Sequence, residues 1–164
     1  LAMDLFEHRS AVISPCGLYR YRLSRTWDGR KLPLVWIMLN PSTADAEIDD
    51  PTIRRCVSFS KREGAGGLDV LNLFALRATD PKHLRVATDP IGPENDGWIR
   101  EVLHPHSRVV AAWGEHGKYL GRGASVLRTL QKSGLDVQCL GSKPKHPLYI
   151  KGDQPMVTLA AEKG

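Results

Sequence analysis

The fold is decided by one stretch of the chain, Val35-Trp36-Ile37-Met38-Leu39-Asn40-Pro41-Ser42-Thr43-Ala44-Asp45, in which an apolar run changes abruptly into polar turn residues. The run from Leu34 to Leu39 is apolar on both faces, which is typical of a central strand covered by helices. The polar residues that follow it stand where open α/β sheets bind their ligands. We therefore expect the chemistry of this protein at the carboxyl end of this strand.

The sequence before this strand predicts a second strand. Tyr19, Tyr21 and Leu23 alternate with polar residues, which is the period-2 pattern of a half-buried strand. The segment 27–30, with Asp-Gly at its centre, has the composition of a turn into the next strand. We expect an antiparallel N-terminal hairpin whose second arm is the apolar strand 34–39.

Downstream, strand and helix patterns alternate. Asp50 is placed to cap a helix that begins at Pro51 and ends at Gly64. Further buried strands are expected at 68–76, 108–114 and 135–140, and further helices at about 93–103 and 120–130. This alternation predicts a three-layer α/β fold, in which helices flank a mainly parallel central sheet. The length of 164 residues fits a single domain, 1–164, with its core at about 15–150.

Composition narrows the function classes. The net charge of +5 favours polyanionic partners such as nucleic acid or nucleotides. The longest apolar run is far below the roughly 20 residues that span a bilayer, and no signal pattern opens the sequence, so we expect a cytoplasmic protein without a membrane partner. The three cysteines are isolated, which supports neither a disulfide framework nor a metal site. We expect no metal and no other cofactor.

The candidate catalytic residues are Asn40, His146 and Asp45. Asn40 can hold a water through its carbonyl oxygen, although asparagine before proline is also a common turn residue. Asp45 can act as a general base, as a metal ligand or only as a solvated loop residue. His146 stands between prolines beside two lysines, in a loop suited to an anion or, alternatively, in a solvated basic turn.

The candidate substrate-binding residues lie in the turns that follow the strands. Asn72 is polar within an apolar strand and needs buried partners, which backbone groups or a ligand can supply. Lys143 and Lys145 suit phosphate. The complete set of expected binding residues is Pro41, Ser42, Thr43, Asn72, Phe74, Gly114, Lys143 and Lys145.

Five segments together resemble the domain-of-unknown-function family DUF1643: residues 38–45, 50–52, 72–75, 112–114 and 144–149. A second similarity, in motif order, is to the uracil-DNA glycosylase superfamily. Asn40-Pro41, Asn72, Trp113-Gly114 and His146-Pro147 stand in the order of that superfamily's motifs. The resemblance implies a uracil-DNA-glycosylase-like fold in which Asn40 positions the water, Asn72 reads the base edge and His146 stabilises the departing base.

These observations lead to a glycosylase-like hydrolase directed at DNA or nucleotides as the first hypothesis. Breaking an N-glycosidic bond needs a held water, stabilisation of the leaving base and a pocket for that base, and asparagine, histidine and backbone groups supply these without a metal. The alternatives are a non-catalytic nucleic-acid or nucleotide-binding module that uses Arg54, Arg55, Lys143 and Lys145 for phosphate, and an enzyme that acts on free nucleosides or nucleotides.

Overall fold

The structure, a computed structural model, describes residues 7–160. The two ends of the predicted domain, 1–6 and 161–164, lie outside the described residues. The strands are β1 (His8–Ile13), β2 (Arg20–Thr26), β3 (Pro33–Met38), β4 (Gly67–Asn72), β5 (Arg108–Ala112), β6 (Val137–Leu140) and β7 (Met156–Thr158). The helices are α1 (Pro51–Arg62), α2 (Lys82–Val86), α3 (Asn95–Val102) and α4 (Arg122–Lys132), and 3₁₀ segments occupy Glu115–Gly121 and Pro147–Tyr149.

Across residues 7–160 the strands form one mixed seven-stranded sheet in the order β1-β2-β4-β3-β5-β6-β7. Four strands, β4, β3, β5 and β6, are mutually parallel, whereas β1, β2 and β7 join antiparallel at the two sides. The prediction of a mainly parallel sheet is therefore wrong, because three of the seven strands join the sheet antiparallel. Neither β1 nor β7 was predicted, and each adjoins its neighbour in sequence without a crossover helix, as antiparallel strands can.

The N-terminal hairpin is present but has different arms from those predicted. β2 pairs antiparallel with β1, where Ser24 lies opposite Ser10. β2 does not pair with β3, because β4 lies between them and pairs with both. All six residues of β4 are buried, so an interior place between two other strands covers both of its faces.

Helices cover both faces of the sheet, which confirms the α/β class. On one face, Ile53, Cys56 and Phe59 of α1 pack in a core with Trp36 of β3. On the other face, a second core joins strand side chains to residues of α2, α3 and α4, namely Leu84, Ile99, Val126 and Leu130. The predicted cap is also confirmed: Asp50 Oδ1 accepts the backbone N–H of Ile53 at 2.9 Å, and α1 begins at Pro51.

Strand order places a crevice at the carboxyl ends of β3 and β5. The chain passes from β3 to β4 on one side of it, and then crosses to β5 and β6 on the other side. Such a reversal of direction opens a crevice beyond the carboxyl ends of the strands, where open α/β sheets bind ligands.

Two further expectations concerned membrane-spanning segments and disulfide bonds. Within the described part, no helix combines the length and the apolar character that crossing a membrane requires. Cys16, Cys56 and Cys139 are free thiols.

Candidate functional site

A pocket of about 470 Å³ opens at the carboxyl ends of the parallel strands. Its walls come from the turns after β3 and β5, from the start of α1 and from the loop after β6. The predicted residues that line it are Asn40, Pro41, Ser42, Asn72, Gly114 and His146. The structure thus brings together three residues that are far apart in sequence, Asn40, Asn72 and His146.

The side chain of Asn40 fastens the turn after β3. Its Nδ2 donates to the backbone carbonyl oxygens of Pro41 at 3.1 Å, Leu76 at 3.4 Å and Ala78 at 2.8 Å. Three surrounding acceptors fix which end of the amide is nitrogen. Within residues 7–160, Asn40 Oδ1 accepts no hydrogen bond, so it is the free acceptor of a rigidly held side chain.

Asn72, the last residue of β4, is 1% exposed and lines the pocket. Neither Oδ1 nor Nδ2 of its amide has a hydrogen-bond partner among the described residues. Its backbone is held separately, because Asn95 Nδ2 donates to the Asn72 carbonyl oxygen at 2.9 Å. Buried amides are almost always paired, and an amide that is unpaired on both sides leaves one donor and one acceptor to be satisfied by a ligand.

His146 precedes the 3₁₀ segment Pro147–Tyr149 and lines the same pocket. Its Nδ1 accepts the backbone N–H of Leu148 at 3.3 Å, so the proton of the neutral ring lies on Nε2. Burial lowers the pKa of His146 from the ordinary value of 6.5, and the negative charge of Asp50 opposes this change. A neutral imidazole whose Nε2–H is free can donate to an oxygen or nitrogen that gains negative charge.

Two contacts hold the loop of His146 in place. The Gly114 backbone N–H donates to the Pro144 carbonyl oxygen at 2.6 Å, and the φ of +71° at Gly114 favours glycine. Arg55 of α1 donates from Nη2 to the Ile150 carbonyl oxygen and lies over the Phe59 ring. The guanidinium of Arg55 is therefore engaged by the loop, which does not support its predicted phosphate role.

Five of the predicted residues do not line the pocket: the two lysines of the loop after β6, which line a neighbouring groove, and three others that lie elsewhere. Asp45 Oδ1 accepts the backbone N–H groups of Glu47 at 2.9 Å and Ile48 at 2.8 Å, and these contacts lower the pKa of its carboxyl group. Thr43 is exposed on the same turn. Phe74 is fully buried in the core against Tyr119. The structure thus gives Asp45 a turn-forming position and Phe74 a packing position.

The two predicted lysines line a neighbouring groove of about 950 Å³. Lys143 and Lys145 stand there with Lys118, and the groove shares Trp113, Gly114 and His146 with the pocket. Glu115 partly offsets this charge, because it pairs with Lys118 at 2.9 Å and with Lys143 at 3.5 Å. The groove therefore offers a cationic surface that runs directly into the pocket.

Among the residues of the pocket wall that were not predicted, three bear on its chemistry. Tyr149 is 85% exposed at the pocket, directly after the predicted His-Pro motif. Asp50 was assigned only as a helix cap, and it also lines the pocket. Arg20 lies buried in the wall, although the alternating pattern of β2 suggested a solvent-facing residue. For Tyr149 an exposed aromatic next to His146-Pro147 was a usable signal, but for Arg20 the sequence held none.

Comparison with known proteins gives one finding. The sequence model of a family described as "Protein of unknown function (DUF1643)" matches residues 20–148. The matched region runs from the start of β2 into the Pro147–Tyr149 segment, so it includes Asn40, Asn72 and His146. No curated protein and no solved structure matches the chain.

Proposed function

The chain belongs to the DUF1643 family, and we propose that it is a glycosylase-like enzyme, directed at DNA or nucleotides, that hydrolyses an N-glycosidic bond. One observation carries this proposal. Asn72, whose buried amide is unpartnered among residues 7–160 on both its oxygen and its nitrogen, lines the same pocket as Asn40 and His146. A planar base that presents an adjacent donor and acceptor pairs with such an amide.

The pocket residues divide the reaction between them. Asn72 holds the base edge, and Asn40 Oδ1 accepts a hydrogen bond from the attacking water. The water oxygen forms a bond to the sugar carbon as the carbon–nitrogen bond breaks, and the bonding electron pair leaves with the base. The His146 Nε2–H donates to the base as this charge develops, and the proton lost by the water passes to solvent or to the released base.

The surroundings of the pocket fit a nucleic-acid strand better than a free nucleoside. The exposed ring of Tyr149 offers a stacking surface for a base at the pocket mouth. Lys118, Lys143 and Lys145 line the adjoining groove, where backbone phosphates would lie. We therefore propose DNA as the preferred substrate, with the target base flipped into the pocket.

The test is a panel of oligonucleotides that each carry one deaminated, oxidised or alkylated base, with abasic sites revealed by alkaline cleavage. We expect at least one substrate to yield abasic sites, and we expect Asn40→Ala and His146→Ala to abolish the release while circular dichroism shows an intact fold. His104→Ala is the matched control, because His104 is exposed and lies outside the pocket. Equal release by both pocket variants and the wild type contradicts the proposal.

A non-catalytic binding module is the second candidate, and the cationic groove is the observation that favours it. Under this alternative, oligonucleotides bind without base release, and the logarithm of the affinity falls linearly with the logarithm of the salt concentration. Replacing Lys143 and Lys145 by methionine should reduce that slope. Turnover of mononucleosides but not of oligonucleotides identifies the third possibility, an enzyme on free nucleosides.

A further inference from the structure

Arg20 is a buried cation in the wall of the pocket. It is the first residue of β2, only 2% of it is exposed, and it lines the pocket with Asn72. β2 and β4 are antiparallel neighbours, so the start of β2 and the end of β4, where Asn72 stands, lie at the same edge of the sheet. Arg20 and Asn72 therefore reach the pocket from adjacent strands.

A β-bulge explains why Arg20 points inward. Val12 of β1 lies opposite Arg22, but the next residue, Ile13, lies opposite Arg20, so Tyr21 is an extra residue. A bulge interrupts the alternation of side chains and re-aims the residue beside it. Bulges of this kind are over-represented next to active sites.

The charge of Arg20 is not paired within the described protein. Two other buried arginines each have a carboxylate, since Arg25 pairs with Asp49 at 2.9 Å and Arg122 pairs with Asp96. Arg20 forms no such ion pair among residues 7–160; its Nη1 donates to the Ala44 carbonyl oxygen at 2.9 Å, and its Nε has no partner there. An unpaired buried guanidinium is costly, and an anionic ligand is the group that offsets the cost.

Arg20 stays protonated at neutral pH in spite of its burial. Desolvation lowers its pKa to about 10, with smaller contributions from the like charges of Arg77 and Arg25. The carboxylate of Asp50 opposes them, and the buried thiol of Cys56 acts in the same direction as Asp50. The pocket thus presents a full positive charge next to the unpaired amide of Asn72.

We propose that Arg20 is the anion-binding residue of this pocket, and that its Nε–H donates to a ring carbonyl oxygen of a base that leaves as its anion. This inference rests on the proposed function for the identity of the ligand as a nucleobase. The base carries a lactam edge, an adjacent C=O and N–H, because that edge complements the free carbonyl and amino groups of Asn72. Adenine also pairs with an amide, through N6 and N7, but it has no ring carbonyl oxygen to accept from Arg20 and is therefore disfavoured.

The position of Arg20 gives it a defined part in the reaction. When the bond between the sugar and the base breaks, the electron pair enters the ring and spreads onto the carbonyl oxygens. A preorganised cation in a buried site stabilises that charge more strongly than a neutral donor does, and it needs no reorganisation at the moment of reaction. Arg20 therefore supplies the charge, and His146 supplies a second, neutral hydrogen bond.

The test is calorimetric binding of two free bases over a range of pH. Xanthine loses a ring proton near neutral pH, whereas hypoxanthine stays neutral in the same range, and both carry a lactam edge. We expect the wild type to bind xanthine more tightly as pH rises and to show a much weaker pH dependence for hypoxanthine. Arg20→Met should lose at least tenfold in xanthine affinity together with this pH dependence, and Arg20→Lys should retain part of both.

Arg25→Met is the matched control, because Arg25 is a buried arginine on the same strand that lies outside the pocket and is ion-paired. We expect it to lower the melting temperature and to leave xanthine affinity unchanged, whereas Arg20→Met should leave the melting temperature unchanged or raise it. Unchanged xanthine affinity in Arg20→Met overturns the inference, and so does a wild type that binds neither base.

The two proposals fail in different ways. Binding of xanthine that depends on Arg20, without base release from any oligonucleotide, nucleotide or nucleoside, overturns the proposed function and leaves the assignment of Arg20 standing. Base release that Arg20→Met leaves unchanged overturns the assignment of Arg20 alone.

Discussion

The side-chain nitrogen of Asn40 donates to the backbone carbonyl oxygen of Ala78 at 2.8 Å, so the turn that leaves β3 is tied to the segment that follows β4. The backbone continues this connection, since the Ala78 N–H donates to the Pro41 carbonyl oxygen at 2.9 Å. The amide of Asn40 therefore has one structural end, the nitrogen, and one free end, the oxygen. The anchoring of the turn by the nitrogen and the binding of water by the oxygen can therefore be tested separately.

Asn40→Ala should lower both stability and activity. The carbonyl oxygens that its Nδ2 now serves lose their donor, and we expect the free energy of unfolding to fall by about 1–3 kcal/mol in urea titrations. Base release under single-turnover conditions should fall at least about 100-fold, because the attacking water loses its acceptor and the turn shifts. Thr43→Ala, on the exposed part of the same turn, should change neither quantity. A stable, inactive Asn40→Ala protein contradicts the anchoring role, and a destabilised but fully active one contradicts the role with water.

The pH dependence of base release should report the neutral form of His146. Burial lowers the pKa of His146 below 6.5, so the active, neutral ring predominates above that lowered value and the rate falls as pH decreases through it.

The lowered pKa of His146 also makes the stability of the fold depend on pH. The unfolded chain takes up the proton at a higher pH than the folded chain does, so this contribution to stability is present above about pH 6.5 and is lost as pH falls through the folded-state pKa.

A pH–rate profile measures the fall in rate at low pH, and the same profile for Asp50→Asn tests whether His146 causes it. The charge of Asp50 raises the pKa of His146, so its removal should move the acid limb to still lower pH. Asparagine remains a good helix cap, and α1 should therefore stay intact. An acid limb that moves upward in Asp50→Asn, or that persists unchanged in His146→Gln, assigns the limb to a different group.

Gly114→Ala should disturb the site through the backbone alone. The φ of +71° costs about 1 kcal/mol or more for alanine, while the added Cβ meets nothing closer than the His146 nitrogen at 3.9 Å. Because the Gly114 N–H holds the Pro144 carbonyl oxygen, relief of this strain displaces the loop of His146. We expect a lower melting temperature and a reduced kcat for base release.

Gly97→Ala is the control for this substitution. Gly97 lies inside α3, where an added Cβ meets no atom within 4 Å, and alanine should stabilise the helix by up to about 1 kcal/mol. Its activity should equal that of the wild type. If Gly114→Ala behaves like Gly97→Ala, the conformation at Gly114 does not hold the loop.

Local patterns predicted the elements that form the centre of the fold. The apolar run 34–39, the cap at Asp50 and the strand at 108–114 each carry their own signal, and each was found near its predicted place. The pairing of strands was harder, because β4 is inserted between β2 and β3 by contacts that no local pattern encodes. The turn at 27–30 connects β2 to β3, and from sequence alone these two strands were therefore expected to pair as a hairpin.

The residues of the site likewise include some that a local pattern predicted and some that it did not. Asn72 stood out as a polar residue in a buried strand, and His146 as an imidazole between prolines. Arg20 could not be found from sequence, because one extra residue in β2 reverses the direction in which its side chain points. Asp45 looked like a possible base, but its carboxylate accepts hydrogen bonds from the backbone of its own turn. Aspartate often forms such turns in loops without any catalytic role, so the sequence could not distinguish the two functions.

Stability and base release, both measured in Asn72→Leu, show whether the unpaired amide of Asn72 holds the base. Leucine has a similar shape and removes an amide that is buried and, among residues 7–160, unpaired on both sides, so we expect the free energy of unfolding without ligand to rise by about 1–3 kcal/mol. At the same time, base release from the best oligonucleotide of the panel should be lost. An Asn72→Leu protein that is less stable than the wild type, or that releases the base at the wild-type rate, contradicts a base-binding role for the Asn72 amide.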